Sequence, residues 1–350
     1  MRVVVCPDKL RGSLSAADAV AAIRAGLADV GVTDVVGIPM ADGGEGTLDV
    51  LLAATGGERQ TCATVDALGR PTTADWGLLA DGTAVVEAAT SIGLALLGDV
   101  RDPVGASSTG LGRVVAAALD SRPRRLVVAV GGSATTDGGL GCLDVLGWDL
   151  RDVPTVVATD VTTTFVDAAA MFAPQKGADA DQVVQLSARL DQLADRLASE
   201  RRDIRDLPGG GAAGGIAGGL AAIGAELAPG FDLVARMVGL PDAIAPADAV
   251  VTAEGRLDAT SLAGKVVGGV LRLAGRTTTV VVLAGSADEP TARGLRASGV
   301  AVATLRALAR DDEESFSAAP RLLRQATAQV MGPGRPARGS AAPAGPATPP

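Results

Sequence analysis

Residues 3–29 read VVVCPDKLRGSLSAADAVAAIRAGLAD, and this stretch decides the fold. Positions 3–6 are apolar and mostly β-branched, as in a strand buried on both faces of a parallel sheet. Ser15 offers a side-chain cap to an alanine-rich helix predicted over 15–29, with Asp18 as an imperfect capping box. Strand, polar loop and helix make the opening half of a βαβ unit. The alternation then continues along the chain. Further strands are predicted at 35–40, 126–130, 156–159, 249–252, 279–284 and 300–305, and helices near 46–54, 110–120, 180–199, 212–225 and 264–274. The fold class is therefore α/β with a mainly parallel sheet.

One segment departs from this rhythm. Residues 61–88 read as two or three strands in hairpin-like succession, turning at Gly69-Arg70-Pro71 and Asp81-Gly82. The expected division is a flavodoxin/Rossmann-like domain of 1–60 plus 250–325, with a second α/β domain inserted over 61–249. Residues 332–350 are rich in Pro, Ala and Gly and are expected to form a disordered tail.

Composition removes whole classes of chemistry. The chain has no histidine and no tyrosine, which excludes a Ser-His-Asp triad, a histidine-ligated zinc and a histidine base. A net charge of −9 argues against nucleic acid as a partner. Cys6, Cys62 and Cys142 form no C-x-x-C pair, which fits a reducing compartment. The apolar run at the N-terminus is too short for a signal peptide, and no run reaches the ~18–20 residues of a membrane span. The expectation is a cytoplasmic protein with no membrane partner.

Four glycine-rich loops carry the candidate chemistry. The first is PMADGGEGT, 39–47, at the end of the second strand. Its glycines let backbone approach a ligand, and Asp42 and Glu45 suit a phosphate-bound magnesium; a tight turn with solvated acids is the alternative. The second, GGSATTDGG at 131–139, has four glycines and three hydroxyls in nine residues, a cradle for phosphate or carboxylate. The third, PGGGAAGG at 208–215, reads either as a phosphate contact or as a helix-packing surface. The fourth, TAEGRLD at 252–258, places carboxylates at a strand's carboxyl end, where open α/β sheets bind ligands. Gly264-Lys265 follows without Walker A spacing; Lys265 would neutralise phosphate, or is an ordinary surface lysine. Gly110-Leu111-Gly112 lacks the preceding strand and third glycine of a dinucleotide fingerprint.

Taken in order, these loops resemble the type 1 glycerate kinases. The matching stretches are PMADGGEGT, VGGSATTDGG (130–139), FAPQKGA (172–178), PGGGAAGG, and EGRLD with GK (254–258, 264–265). PDKLRGSLSA (7–16) looks like the family's PDSFKGSLSA, with Arg11 for lysine and Lys9-Leu10 for Ser-Phe. Thr136 stands where the family has Asn, and Ala253 where it has Gly. The largest departure is 158–172, where only the Asp-Val core of CDVxNPLxGxxGA survives at Asp160-Val161, and 147–155 looks shortened.

The resemblance implies two α/β domains around a catalytic cleft and transfer of phosphate from ATP, with Mg²⁺, to a hydroxyl of D-glycerate. Asp160 would orient or deprotonate that hydroxyl, and Lys265 would assist catalysis. Substrate would be held by Asp8, Lys9, Arg11, Ser13, Asp42, Gly43, Gly44, Gln175 and Lys176. Nucleotide phosphates would lie on Gly131, Gly132, Ser133, Ala134, Thr135, Gly209, Gly210 and Gly211. Asp42, Glu45, Glu254 and Asp258 would serve the metal. A homodimer is allowed for. Two alternatives stay open: a kinase for another small hydroxy acid, and a member that binds nucleotide or metabolite without catalysis.

Overall fold

The computed structural model describes residues 1–275 and 277–332. Eleven strands among them form two sheets. The first contains β1 (Val3–Val5), β2 (Val35–Gly37), β9 (Ala249–Leu257), β10 (Thr279–Ala287) and β11 (Ala301–Thr304). Its spatial order is β11-β10-β9-β1-β2, and every neighbouring pair is parallel. Counted within this sheet alone, that is the 2-1-3-4-5 order of flavodoxin-like folds. The chain leaves β1 in one direction and β9 in the other, so the switch point lies between them.

The second sheet is β3 (Gly57–Val65), β4 (Pro71–Leu79), β5 (Thr83–Glu87), β6 (Arg125–Ala129), β7 (Thr155–Thr159) and β8 (Glu226–Pro229), in that spatial order. β5 through β8 are parallel, while β3, β4 and β5 pair antiparallel through the turns expected near 69 and 82. The strands of the second sheet thus come from the middle of the chain and those of the first from its two ends. The tail, 333–350, lies outside the described residues.

The helices follow their local signals. Ser15 caps Ala16–Asp29 by accepting the Asp18 N–H at 3.1 Å, but the Asp18 carboxylate bonds the Ser15 hydroxyl at 2.7 Å, so the reciprocal backbone half of the capping box is absent. Asp179 opens the long helix Ala180–Glu200 with a complete box, because Gln182 is long enough to reach back to the Asp179 N–H. The helix predicted over 212–225 is only Ile216–Ala222, since the residues before it are spent in a glycine turn.

The core explains why the two sheets stay together. Val4 and Val250 of the first sheet share one apolar cluster with Val85, Val127 and Ala158 of the second. Leu48 and Leu51 of helix Thr47–Thr55, and Phe231 and Val234 of helix Gly230–Met237, fill the space between. Each such fully buried aliphatic side chain contributes ~1.5–3 kcal/mol relative to exposure. The opposite face of the first sheet packs Val3, Val5 and Val251 against helices Ala16–Asp29 and Ala319–Met331. Both sheets therefore end near one another along the shared helical layer.

Candidate active site

Two carboxylates mark the switch point of the first sheet. Asp8 follows β1 and donates its backbone N–H to the Ala253 carbonyl of β9 at 2.8 Å. The next residue of β9 is Glu254, which is 9% exposed and has one carboxylate oxygen without a hydrogen-bond partner. Burial pushes Glu254 up to about 7, the Ser261 hydroxyl opposes the rise, and Asp8 adds to it. Burial and then the neighbouring Asp42 push Asp8 up to about 7. Desolvation, again helped by Asp42, also raises Asp160 at the carboxyl end of β7. Lys265 opposes the rise at all three, so this one ammonium is the shared counter-charge of Asp8, Asp160 and Glu254. Four acids and a lysine from both sheets thus meet in one field.

Close backbone contact sets the position of Asp42. A Cβ on Gly131 would lie 2.8 Å from the Gly44 Cα, and one on Gly230 would fall 1.9 Å from the Asp42 carbonyl oxygen. The first glycine loop therefore rests on the second and on the start of helix Gly230–Met237. No larger residue could keep that spacing. A residue that sequence reasoning missed completes the arrangement. Glu87, 4% exposed at the end of β5, accepts the Leu48 N–H at 2.6 Å and so anchors the start of helix Thr47–Thr55. Its pKa is raised by desolvation, against the favourable Leu48 and Gly46 amides. A carboxylate closing an apolar strand was the only available signal.

The second glycine loop is the most unusual polar region. The hydroxyls of Ser133, Thr135 and Thr136 are buried and have no hydrogen-bond partner. Such groups cost ~1–3 kcal/mol each when left unpaired, which points to a ligand that pairs them. Lys176 is 4% exposed and its Nζ donates to the Thr135 carbonyl at 2.5 Å. Burial pulls its pKa down to about 7, with Asp137 opposing. Asp137 itself is structural: it accepts the Ser108 N–H at 2.7 Å, the Ser108 hydroxyl at 2.8 Å and the Gly139 N–H at 3.1 Å. Ala134 donates its N–H to the Ile92 carbonyl.

The remaining candidates divide. Lys9 pairs with Glu45 at 3.0 Å, and Ser13 donates to the Leu10 carbonyl at 3.0 Å. Arg11 is exposed and its guanidinium has no partner among the described residues. Gln175 is exposed. Gly209, Gly210 and Gly211 are buried, close against Thr159, Leu207 and Thr164, so their surroundings are those of a packing surface. Asp258 accepts the Thr260 N–H at 2.9 Å as a helix cap. Asp42, Glu45, Glu254 and Asp258 therefore do not form one ligand set, because Glu45 and Asp258 are engaged elsewhere. Among the described residues no three acids or cysteines stand at metal-ligand spacing. Asp42 and the unpartnered oxygen of Glu254 still fit magnesium, which is commonly held by one or two carboxylates together with substrate phosphates.

A sequence profile of the glycerate kinase family matches residues 3–155 and 149–333. The chain belongs to the glycerate kinase family. It is 35% identical to glycerate 2-kinase of Escherichia coli K12 over 312 positions, covering 78% of this chain and 82% of the relative. An uncharacterised protein of Mycobacterium tuberculosis is 39% identical over 319 positions, covering 87% and 83%. The crystal structure of a candidate glycerate kinase 2 from Salmonella typhimurium LT2 superposes with a TM-score of 0.77 at 31% identity, covering 95% of this chain and 98% of that one.

Against its Escherichia coli relative the chain is short. Coverage of 78% of 350 residues leaves about forty of the 312 aligned positions without a residue here. The profile match breaks and restarts at 149–155, beside the segment 147–155 that looks shortened in the sequence. The structure closes the gap with a strained turn: Trp148, Arg151 and Asp152 all hold positive φ, at 61°, 54° and 57°. This turn enters β7 at its amino end, whereas Asp160 follows the carboxyl end. At ~3.3 Å per residue, a five-residue strand keeps them apart. The shortening therefore lies away from the site carboxylates.

Proposed function

We propose that this family member transfers phosphate from ATP to a hydroxyl of D-glycerate, in the cytoplasm. The observation that carries the reading is the gathering of Asp8, Asp160 and Glu254 around Lys265, with Asp42 neighbouring Asp8 and Asp160. Phosphoryl transfer needs an aligned hydroxyl and fixed charge around the moving oxygens, and little covalent chemistry. Asp160 accepts the proton of the attacking hydroxyl, and its raised pKa makes it a stronger base than an ordinary aspartate. Lys265 supplies positive charge to the transferred group. The hydroxyls of Ser133, Thr135 and Thr136, with Lys176, hold an anionic group. Arg11, unpaired and exposed, is suited to the substrate carboxylate through a two-pronged contact. Asp42 and Glu254 would hold Mg²⁺, which when bound neutralises phosphate charge.

A second reading has its own observation. The segment after Asp160 carries Thr163 and Thr164 where the family pattern has Asn and Pro, and Asp167 and Ala170 where it has glycines, which favours a different small hydroxy acid. Phosphorus NMR of the product, across a panel of hydroxy acids, tests both. Phosphoglycerate as the preferred product supports the first reading. A preferred product from another acid moves the substrate, and no phosphorylated product from any acid removes the kinase reading.

A further inference from the structure

The carboxyl edge of β9 opens on both faces. Glu254 points toward Asp8 and Lys265, while Ala253 packs on the other face with Val3 and Val5. Successive strand residues alternate, so Gly255 faces the same way as Ala253. A recess opens there, lined by Leu10, Gly255, Gly285, Ser286, Leu305 and Phe316. Its floor is apolar, since Leu10 and Leu305 are 1% and 0% exposed. Its waist is bare backbone, because a Cβ on Gly285 would meet the Gly255 carbonyl oxygen at 2.4 Å.

Phe316 stands at the mouth. It is 57% exposed in a chain whose aromatic content is only 2%. Its ring lies 3.9 Å from where a Cβ on Gly12 would sit, beside the loop that carries Asp8. The recess holds about 110 Å³, nearly four times the ~30 Å³ of a liquid water. That takes one flat ring system and leaves the rest of a larger ligand outside. Ser13 lines the recess and spends its hydroxyl proton on the Leu10 carbonyl, which leaves its oxygen an acceptor suited to an exocyclic amine.

We propose that this recess holds the heteroaromatic base of the nucleoside triphosphate. The sugar leaves the recess beside the Leu10–Arg11 backbone, which covers Gly255 (a Cβ there would meet the Arg11 nitrogen at 3.0 Å), and the phosphates reach toward Lys265 on the other face. Phe316 stacks on the base, a contact that tolerates any base because each has a π-face. The proposal rests on the kinase reading above and adds the place of the nucleoside, which none of the glycine loops supplies.

The test uses the full chain with Phe316→Ala and Ser286→Leu. Both positions are exposed, and a melting curve confirms each fold. Calorimetry compares ATP with inorganic tripolyphosphate, and initial rates give KM for ATP and for glycerate. Both variants should weaken ATP at least tenfold, leave tripolyphosphate within twofold, and leave KM for glycerate unchanged. ATP affinity within twofold of the parent in both variants overturns the recess, as does an equal loss for tripolyphosphate. A parent protein that turns over ATP under those outcomes keeps the kinase reading intact. A parent that neither binds nor turns over ATP removes both.

Discussion

Glu87 Oε1 accepts the Leu48 N–H at 2.6 Å, and through that bond β5 of one sheet fixes the loop that carries Asp42 at the edge of the other. The acid is buried and holds an orphan amide of a helix start, whose dipole favours negative charge. Glu87 is thus a positioning residue for Asp42. Glu87→Gln keeps an acceptor oxygen and should hold kcat within a few-fold. Glu87→Ala leaves the amide unpaired, which costs ~1–3 kcal/mol. Urea unfolding and initial rates should show both stability and kcat falling in the alanine variant only.

Asp160→Asn should lower kcat by ~10²–10⁴-fold, the usual contribution of a positioned general base. Calorimetric ATP affinity should stay close to the parent's. Full turnover in this variant would take Asp160 out of the proton path.

The raised carboxyls give a signed pH dependence. Asp8 and Glu254 hold protons in the folded state up to about 7, whereas in the unfolded chain they lose them near 4. Between those values the folded state binds more protons, so ligand-free stability should fall as pH rises from 5 to 7. Melting curves across that window should show the slope, and Asp8→Asn with Glu254→Gln should flatten it. Magnesium with ATP should release protons on binding at pH 6.5, measured by calorimetry in two buffers of different ionisation enthalpy.

Lys176→Met separates binding from folding. The parent ammonium is desolvated and loses its proton at about 7 in the folded state. An apolar isostere should leave the neutral-pH melting point unchanged or higher. If Lys176 meets an anion, the same variant raises KM for at least one substrate about tenfold, since a charged hydrogen bond is worth ~1.5–3 kcal/mol.

The shortened connection gives a control. Asp152 at φ 57° is in the left-handed region, which costs an L-residue ~1–2 kcal/mol that glycine avoids. Asp152→Gly should raise stability by ~0.5–1 kcal/mol in urea unfolding, after its own entropy cost. Because the turn is remote from the carboxylates, kcat and both KM values should not move.

Much of this molecule was legible in its residues, and the limits have physical causes. The VVV of β1 and the AVV of β9 are apolar on both faces, so they read as buried parallel strands; the acids closing β9 followed from that, whereas Asp8 after β1 came only through the family resemblance. The cap at Ser15 was local and therefore visible. Gly209–Gly211 was not decidable from sequence, because a phosphate cradle and a close-packed turn need the same absence of side chains. The role of Glu87 was hidden for another reason: its partner, Leu48, is 39 residues away and uses only a backbone amide. Phe316 drew no reading from sequence, because only the fold brings it to the edge of β9. The pairing of Asp42 with Asp160 likewise depends on how the two sheets meet.

The most direct test of the account is ADP release by the purified protein with ATP, Mg²⁺ and D-glycerate, beside an identical reaction without acceptor. Release should depend on D-glycerate and be nearly abolished in Asp160→Asn. Release at the same rate with and without D-glycerate, or an Asp160→Asn rate equal to the parent's, would contradict it.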